Sequence, residues 1–339
     1  MRSSSFYNHQ LNMTPIRIEL ELTEACNLNC KFCYNTQSPS YLNIKKAKSI
    51  IRSLSDQGVL EIVLTGGEPM IHPDFDIISK YAAKHFHSTM LQTNGTQINS
   101  KSLRELEVAG FNGINISIHG DSDTHENLTG KKGSYQKAIN AINLVLSSKL
   151  TLWVNTVLTS VNLDCLNFHI NSLYEIGVRH FTFTRFNPTG IGKSFDIKLS
   201  PSDLVKAISI IDRFHKDHPD SSVLAANAIP RCLLPDNLKG YSEGCSYGLS
   251  RFYVNTNGEL MFCGMSRICL GDITVQSVLE AKKHSEIFKQ HCLGQTIPDD
   301  CLICEEFTKC RGGCRAAAYA SSGSISGKDP YMKGNLIYE

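Results

Sequence analysis

Cys26-Asn27-Leu28-Asn29-Cys30-Lys31-Phe32-Cys33 sets three thiols within eight residues, directly after Ile16–Leu22, a run with the apolar alternation of a β-strand. Thiolates are the usual ligands of iron–sulfur centres, and three at this spacing suit three irons of a cubane cluster. A fourth thiol is absent nearby. One iron is then left without a protein ligand and open to a small molecule, by the logic that keeps one position free in catalytic metal sites. A structural zinc knot and three unrelated buried cysteines are the competing readings, and ordered signals further along the chain favour the cluster.

Outward from this loop, short apolar runs alternate with amphipathic stretches. Asn43–Gln57 has helical spacing through Ile44, Ala47, Ile50, Ile51 and Leu54, with Gly58 as its stop. Strands are expected at Leu60–Leu64, His87–Gln92, Gly113–Ile118, Leu150–Leu158 and His180–Arg185. Helices are expected at Phe75–Lys84, Ser100–Ala109, Tyr135–Ser147 and Leu163–Ile176. This order implies a parallel sheet with ligands at the carboxyl ends of its strands. Six units are too few for a closed eight-fold barrel. The expected class is therefore α/β, an open, partial (β/α)6 TIM-like barrel. Ser200-Pro201-Ser202-Asp203 reads as the cap of a further helix, Leu204–His215, and after Pro230 the pattern gives way to Gly- and Cys-rich loops. The expected division is an N-terminal extension (1–15), the barrel (16–190), a helical connector (191–240), a small Cys-rich module (241–320) and a flexible Gly- and Ser-rich tail (321–339).

Composition narrows the function classes. With 34 basic against 32 acidic residues and a net charge of +2, the chain offers no case for a nucleic-acid or membrane surface. No apolar run approaches the roughly 18 residues of a membrane span, and Met1–Pro15 lacks the apolar core of a signal peptide. A cytoplasmic location is expected. Thirteen cysteines without an export signal point to metal or cluster ligation rather than disulfides. They are distributed unevenly, with three near the start, Cys165 alone, and nine from Cys232 onward.

The remaining motifs follow predicted strands. Gly66-Gly67-Glu68-Pro69 follows the second. Its glycines allow close backbone approach to a ligand, and Glu68 could accept from an ammonium group. Thr93-Asn94-Gly95 follows the third strand, and Ser117-Ile118-His119-Gly120 closes the fourth. Asn155 lies in the fifth, and Arg185 ends the sixth. Short polar side chains at these points suit ribose hydroxyls or substrate polar groups. His119 and Arg185 are candidate catalytic residues, although a satisfied loop hydrogen bond is the alternative fate of each.

CxxxCxxC after strand one, GGEP after strand two and the six-fold β-α pattern together resemble the radical S-adenosylmethionine (SAM) enzymes, over roughly Ile16–Asn187. The resemblance implies that Cys26, Cys30 and Cys33 hold a [4Fe–4S] cluster whose open iron binds the amino and carboxylate groups of SAM. It implies that Gly66, Gly67 and Glu68 contact the methionine moiety, and that Ser117 and Asn155 lie near the ribose. It also implies that reductive cleavage of SAM gives a 5′-deoxyadenosyl radical that abstracts hydrogen from substrate. A flavodoxin- or ferredoxin-type electron donor goes with that chemistry.

Downstream, Cys245 is followed by Gly258 and Cys263, and then by Cys301-x2-Cys304-x5-Cys310-x3-Cys314. A zinc ribbon is the alternative for the second group. These spacings resemble the SPASM extension of the same family, which houses one or two auxiliary [4Fe–4S] clusters. By that resemblance Cys245, Cys263 and Cys314 serve one cluster, and Cys301, Cys304 and Cys310 serve another. The family's further cysteine after the last group is missing, since nothing from Arg315 to Glu339 is Cys. Cys269 and Cys232 are candidates for a fourth ligand of the first cluster, with Cys292 a spare for either. Cys165 reads as a buried small hydrophobe.

The resemblance implies maturation of a ribosomally made peptide by cross-linking, oxidation or epimerisation. Only about fifteen residues precede the first strand, so a stand-alone peptide-recognition protein or direct recognition is expected. The alternative is a dehydrogenase or epimerase acting on a sugar, an aminocyclitol or another natural-product intermediate. A non-catalytic iron–sulfur electron carrier is the third reading, and the open-site motif with GGEP counts against it.

Overall fold

The computed structural model describes residues 10–332. Strands β1 (Arg17–Thr23), β2 (Glu61–Gly66), β3 (Ser88–Thr93), β4 (Gly113–Ser117), β5 (Thr151–Leu158) and β6 (His180–Arg185) pair in chain order, each parallel to the next. Between them run α1 (Ile44–Asp56), α2 (Phe75–Ala83), α3 (Ser100–Ala109), α4 (Ser122–Thr129), α5 (Ser134–Leu146) and α6 (Leu166–Glu175). Their boundaries follow from local chemistry. The Asn43 side chain accepts from the Lys45 and Lys46 N–H groups at the start of α1. Asn99 and Ser102 form a capping box on α3, which Gly110 ends in the left-handed region at φ 97°. Helix α4 was not expected: Ser-Asp-Thr-His-Glu-Asn-Leu-Thr has almost no apolar stripe, and its signal lies in its ends, the Asp121 cap and Gly130.

The sheet extends beyond the six expected strands at both edges. β7 (Ser222–Ala225) adds parallel to β6, and β8 (Arg251–Val254) adds parallel to β1. β9 (Glu259–Met261) and β10 (Cys269–Asp272) continue antiparallel, giving the order β10-β9-β8-β1-β2-β3-β4-β5-β6-β7. The additions are only three or four residues long and lie where periodicity is weak. The Cys-rich region is therefore joined to the parallel sheet by a main-chain ladder.

Alternation along the strands separates two faces. In β5, Leu152, Val154, Thr156 and Leu158 are buried, while Trp153 and Asn155 are half-buried on the other side. Ile18, Leu20, Ile62, Leu64, Leu91, Ile114 and Ile116 extend the buried face into one core with the helices. The other face, the concave side expected of a partial barrel, carries half-buried Ser117, Asn155, Thr182 and Thr184 beside Trp153 and Val157.

The segment expected to be a flexible tail is anchored as far as it is described. Asp329 is fully buried, and both of its carboxylate oxygens take the Arg185 guanidinium. One also accepts the Cys314 N–H at 2.7 Å, and the Tyr331 hydroxyl donates to the Leu199 carbonyl at 2.7 Å. Ser321–Ser324 and Ser326 stay exposed, as the composition suggests, while the buried Ile325, Asp329, Tyr331 and Met332 pin the segment down. Residues 333–339 of that tail, and residues 1–9 of the expected N-terminal extension, lie outside the described residues.

Removing one partner of a fully buried ion pair leaves a charge unpaired in a low dielectric, at a cost of about 3–5 kcal/mol. Arg185→Ala and Asp329→Ala are each expected to lose that much by denaturant unfolding, while the paired Arg185→Met/Asp329→Leu variant recovers a large part of it.

Candidate active site and thiol clusters

β1 delivers the chain to the cysteine loop. The Thr23 hydroxyl donates to the Ser40 carbonyl at 2.7 Å and accepts the Ala25 N–H at 3.0 Å, closing the loop's base. Within the loop, backbone N–H groups point at sulfur: Leu28 N–H to Cys26 Sγ at 3.5 Å and Asn35 N–H to Cys33 Sγ at 3.4 Å. The Asn94 amide adds a longer contact to Cys26 Sγ at 3.9 Å. Such donors tune the potential of a thiolate-bound cluster. Burial pushes the Cys26 thiol up to about 11, while Cys30 and Cys33 are also raised, first by burial; for Cys30 the neighbouring thiols add to the shift. The three thiols therefore stand close together and are protonated unless a metal displaces the protons.

The glycine pair meets the chain itself. A Cβ on Gly66 would fall 2.3 Å from the Thr23 carbonyl oxygen, and one on Gly67 would fall 2.2 Å from that of Ala25. The Gly67 N–H bonds the Thr23 carbonyl at 2.7 Å, and the Glu68 N–H bonds that of Ala25 at 2.9 Å. Glu68 is fully buried, and its carboxylate already accepts from the Met70 N–H, the Thr93 hydroxyl and the Asn94 N–H. It ties the turn after β2 to the turn after β3.

The other sequence candidates divide. Ser117 and Asn155 are paired across β4 and β5 at the strand ends, with Asn155 Oδ1 accepting from Thr184 at 2.9 Å. Both face the concave side. His119 does not: it is 2% exposed, and its Nδ1 accepts the Val157 N–H. Burial, and then His125 and His169, hold its pKa well below the ordinary range, so the ring is neutral. It meets the edge of Phe32 at 4.4 Å, which makes it a support beneath the cysteine loop. Arg185, also 1% exposed, is engaged by Asp329 and is not free to meet a substrate.

Downstream the thiols form two further groups. Burial, then the neighbouring Cys314 and Cys263, push Cys245 up to about 12. Ser266 donates its N–H to Cys263 Sγ at 3.3 Å, and the Asn187 amide approaches Cys314 Sγ at 3.7 Å. A cavity lined by Cys245, Tyr247, His291, Arg311 and Arg315 adjoins this trio. Burial, then Cys310 and, beyond the opposing Arg315, Cys232 and Cys304, raise Cys301 to about 11. Among the described residues no three His, Cys, Asp or Glu side chains stand at the spacing of a single ion. A zinc site draws its ligands onto one centre, whereas a cubane spreads thiolates over separate irons. The all-thiol donor sets with N–H groups aimed at sulfur fit the cubane. Cys269 is brought to neither group. It lies exposed on β10, beside Glu259 and Asp272, because the β9–β10 ladder carries it to the sheet edge. Cys292 is buried near Gln10 and Lys282. Cys165 is half-buried, against Thr124 and Asn162.

Two connections carried no sequence signal. Arg267, at φ 51°, reaches from the Cys-rich region to Glu21 (2.8 Å), Glu24 (3.1 Å) and Asn35 (2.9 Å), clasping both ends of the cysteine loop. The segment after β6 touches two thiol groups, since the Gly192 N–H bonds the Cys33 carbonyl at 2.9 Å while Asn187 reaches Cys314.

Comparison with known proteins agrees with this geometry. A sequence model of the Radical SAM superfamily matches residues 20–171. The AdoMet-dependent heme synthase of Methanosarcina barkeri is 27% identical over 339 residues, covering 94% of this chain and 96% of the relative. The mycofactocin maturase MftC of Mycolicibacterium smegmatis is 25% identical over 334 residues, covering 93% and 82%. Streptococcus suis SuiB bound to S-adenosylmethionine superposes with a TM-score of 0.80 at 17% identity, covering 97% of this chain and 80% of that one. The same protein bound to its precursor peptide SuiA gives 0.76 at 17% identity, covering 96% and 77%. Among the described residues no helix is long and apolar enough to cross a membrane. This chain carries a radical SAM domain, set on the first strands of its parallel sheet and followed by a Cys-rich C-terminal region.

Proposed function

We propose that the protein is a radical SAM enzyme that modifies a ribosomally made peptide by oxidation, cross-linking or epimerisation. The observation that carries the reading is the packing of Gly66-Gly67 on Thr23 and Ala25, which lead into the Cys26–Cys33 loop at the carboxyl ends of β1 and β2, with a second thiol trio joined to that loop through the segment after β6. Bound at Cys26, Cys30 and Cys33, a [4Fe–4S] cluster with SAM supplies one-electron cleavage of the sulfonium and hydrogen abstraction. The chain's own part is positional. The backbone of Gly66 and Gly67 offers polar groups to the methionine end. Glu68 acts indirectly, holding the Asn94 turn against Cys26. Ser117 and Asn155 face the concave side, where the ribose and substrate lie. Phe32 on His119 excludes water behind the loop. The trio Cys245, Cys263 and Cys314 would hold an auxiliary cluster, which would supply a one-electron acceptor for oxidation of the substrate, and a flavodoxin- or ferredoxin-type protein would supply the reducing electron.

The likeness to MftC, a maturase, and to a fold seen with a precursor peptide supports the peptide reading. A second reading has its own support: the heme synthase match spans 96% of that relative, which favours a small-molecule substrate such as a heme precursor.

Anaerobically reconstituted, dithionite-reduced protein is expected to form 5′-deoxyadenosine from SAM, and Cys30→Ala to abolish it. A precursor peptide that raises deoxyadenosine formation and changes in mass supports the first reading. Turnover of a heme precursor with inert peptides supports the second.

Glu68 gives a pH test of its buried role. Burial pushes its carboxyl from 4.5 up to about 7, against hydrogen bonds from Asn94, Thr93 and Met70. The folded chain thus holds this proton more tightly than the unfolded chain, and stability falls as pH rises from 4.5 through about 7. In SAM-free protein, the unfolding free energy of wild type minus that of Glu68→Gln should decline across this window. A flat difference contradicts the assignment.

A further inference from the structure

From Arg315 to Glu339 the sequence holds no cysteine to complete the Cys301, Cys304 and Cys310 set, and the structure supplies one from before it. Cys232 lies on a single turn, Arg231–Leu233, fixed against this set from several directions. The Arg231 N–H points at Cys310 Sγ at 3.4 Å. The Arg231 guanidinium bonds Glu306, between Cys304 and Cys310, at 2.7 Å, and Lys239 bonds the same carboxylate at 2.9 Å. Gly313 leaves room for the Pro230 ring, which a Cβ there would approach to 3.0 Å. The Cys232 side chain itself packs in a small apolar cluster with Ile297, Cys301 and Met332.

We propose that Cys232 is the fourth ligand of a second auxiliary [4Fe–4S] cluster, completing Cys301, Cys304 and Cys310 in place of a cysteine downstream of Cys314. The inference rests on the reading that these thiols bind a cluster at all. Its donors are chemically uniform, and Cys232 packs in the same small cluster as Cys301. Other thiols are excluded by position. Cys269 is carried to the sheet edge on β10, Cys292 is buried beside Lys282, and Cys263 belongs with Cys245 and Cys314. Asp329, among the described residues the buried carboxylate nearest the C-terminal side, is committed to Arg185 and the Cys314 N–H. Fixing the turn in advance through Arg231 and Glu306 lowers the ordering cost of closing a site whose ligands are far apart in sequence.

The test uses the full-length chain, reconstituted anaerobically, with iron and sulfide counts and electron paramagnetic resonance of the reduced and oxidised forms. Three [4Fe–4S] clusters give about twelve irons. Cys232→Ala is expected to lose about four of them, or to show the signal of a three-iron cluster, while Cys269→Ala and Cys292→Ala match wild type. Cys232→Ser, which keeps an oxygen donor, should retain the irons with shifted g values. Cys301→Ala separates the two ways of failing. If it loses about four irons while Cys232→Ala and Cys232→Ser match wild type in count and spectrum, the second cluster stands and Cys232 is not its ligand. If Cys301→Ala also loses none, no cluster is bound there and both statements fall. Should Cys232→Ala not fold, the g values of Cys232→Ser decide: unchanged values overturn the assignment.

Discussion

The structure depends on a backbone contact with no space for side chains. Gly66 and Gly67 lie so close to the Thr23 and Ala25 carbonyls that any Cβ would collide with main chain, which cannot move aside as a flexible side chain can. The Gly67 and Glu68 N–H bonds to those carbonyls carry the β1–β2 ladder beyond the last regular pair and fix the point at which the chain leaves the sheet for Cys26. The direction of the cysteine loop, and with it the placing of three thiols over the strand ends, follows from that contact. Glu68, the next residue, turns inward and binds the following turn, so one four-residue stretch organises two loops of the site.

From there the scaffold is held in register by elements distant in sequence. Arg267 closes over Glu21, Glu24 and Asn35 from the Cys-rich region, and β8 continues the sheet on the open side of β1. The segment after β6 binds the Cys33 carbonyl at one end and approaches Cys314 at the other, with the buried Arg185–Asp329 pair beneath it. The thiol groups are therefore mechanically linked through stiff, buried contacts. Such linkage suits a site in which an electron must pass between centres without movement of the chain.

Much of this was legible in the sequence, for identifiable reasons. The parallel strands announce themselves because each is an apolar run between helices with clear caps, such as Asn43 and the Asn99–Ser102 box. The cysteine spacing and the glycine pair are local, so their association needed only the β1–β2 neighbourhood. Three kinds of feature escaped. Helix α4 and strands β7 to β10 are too short or too polar to show a period. Arg267 and Asp329 act across more than a hundred residues through single side chains, without any motif around them. His119 and Arg185 had the residue types of catalysis and the right positions at strand ends, but burial turned one into a prop for Phe32 and the other into half of an ion pair. The close approach of the glycines to the chain's own backbone at Thr23 and Ala25, unlike the ligand contact expected of them, shows only in the fold.

On this reading the thiols of the Cys26–Cys33 loop hold a cluster whose free iron takes SAM by its amino and carboxylate groups, beside Gly66 and Gly67. Electron–nuclear double resonance on the reduced, reconstituted protein, with SAM isotopically labelled at those two groups, tests it most directly. Both labels are expected to couple to the cluster spin in wild type, and neither in Cys30→Ala. A wild-type spectrum with the cluster fully loaded, SAM bound and no coupling to either label would contradict it.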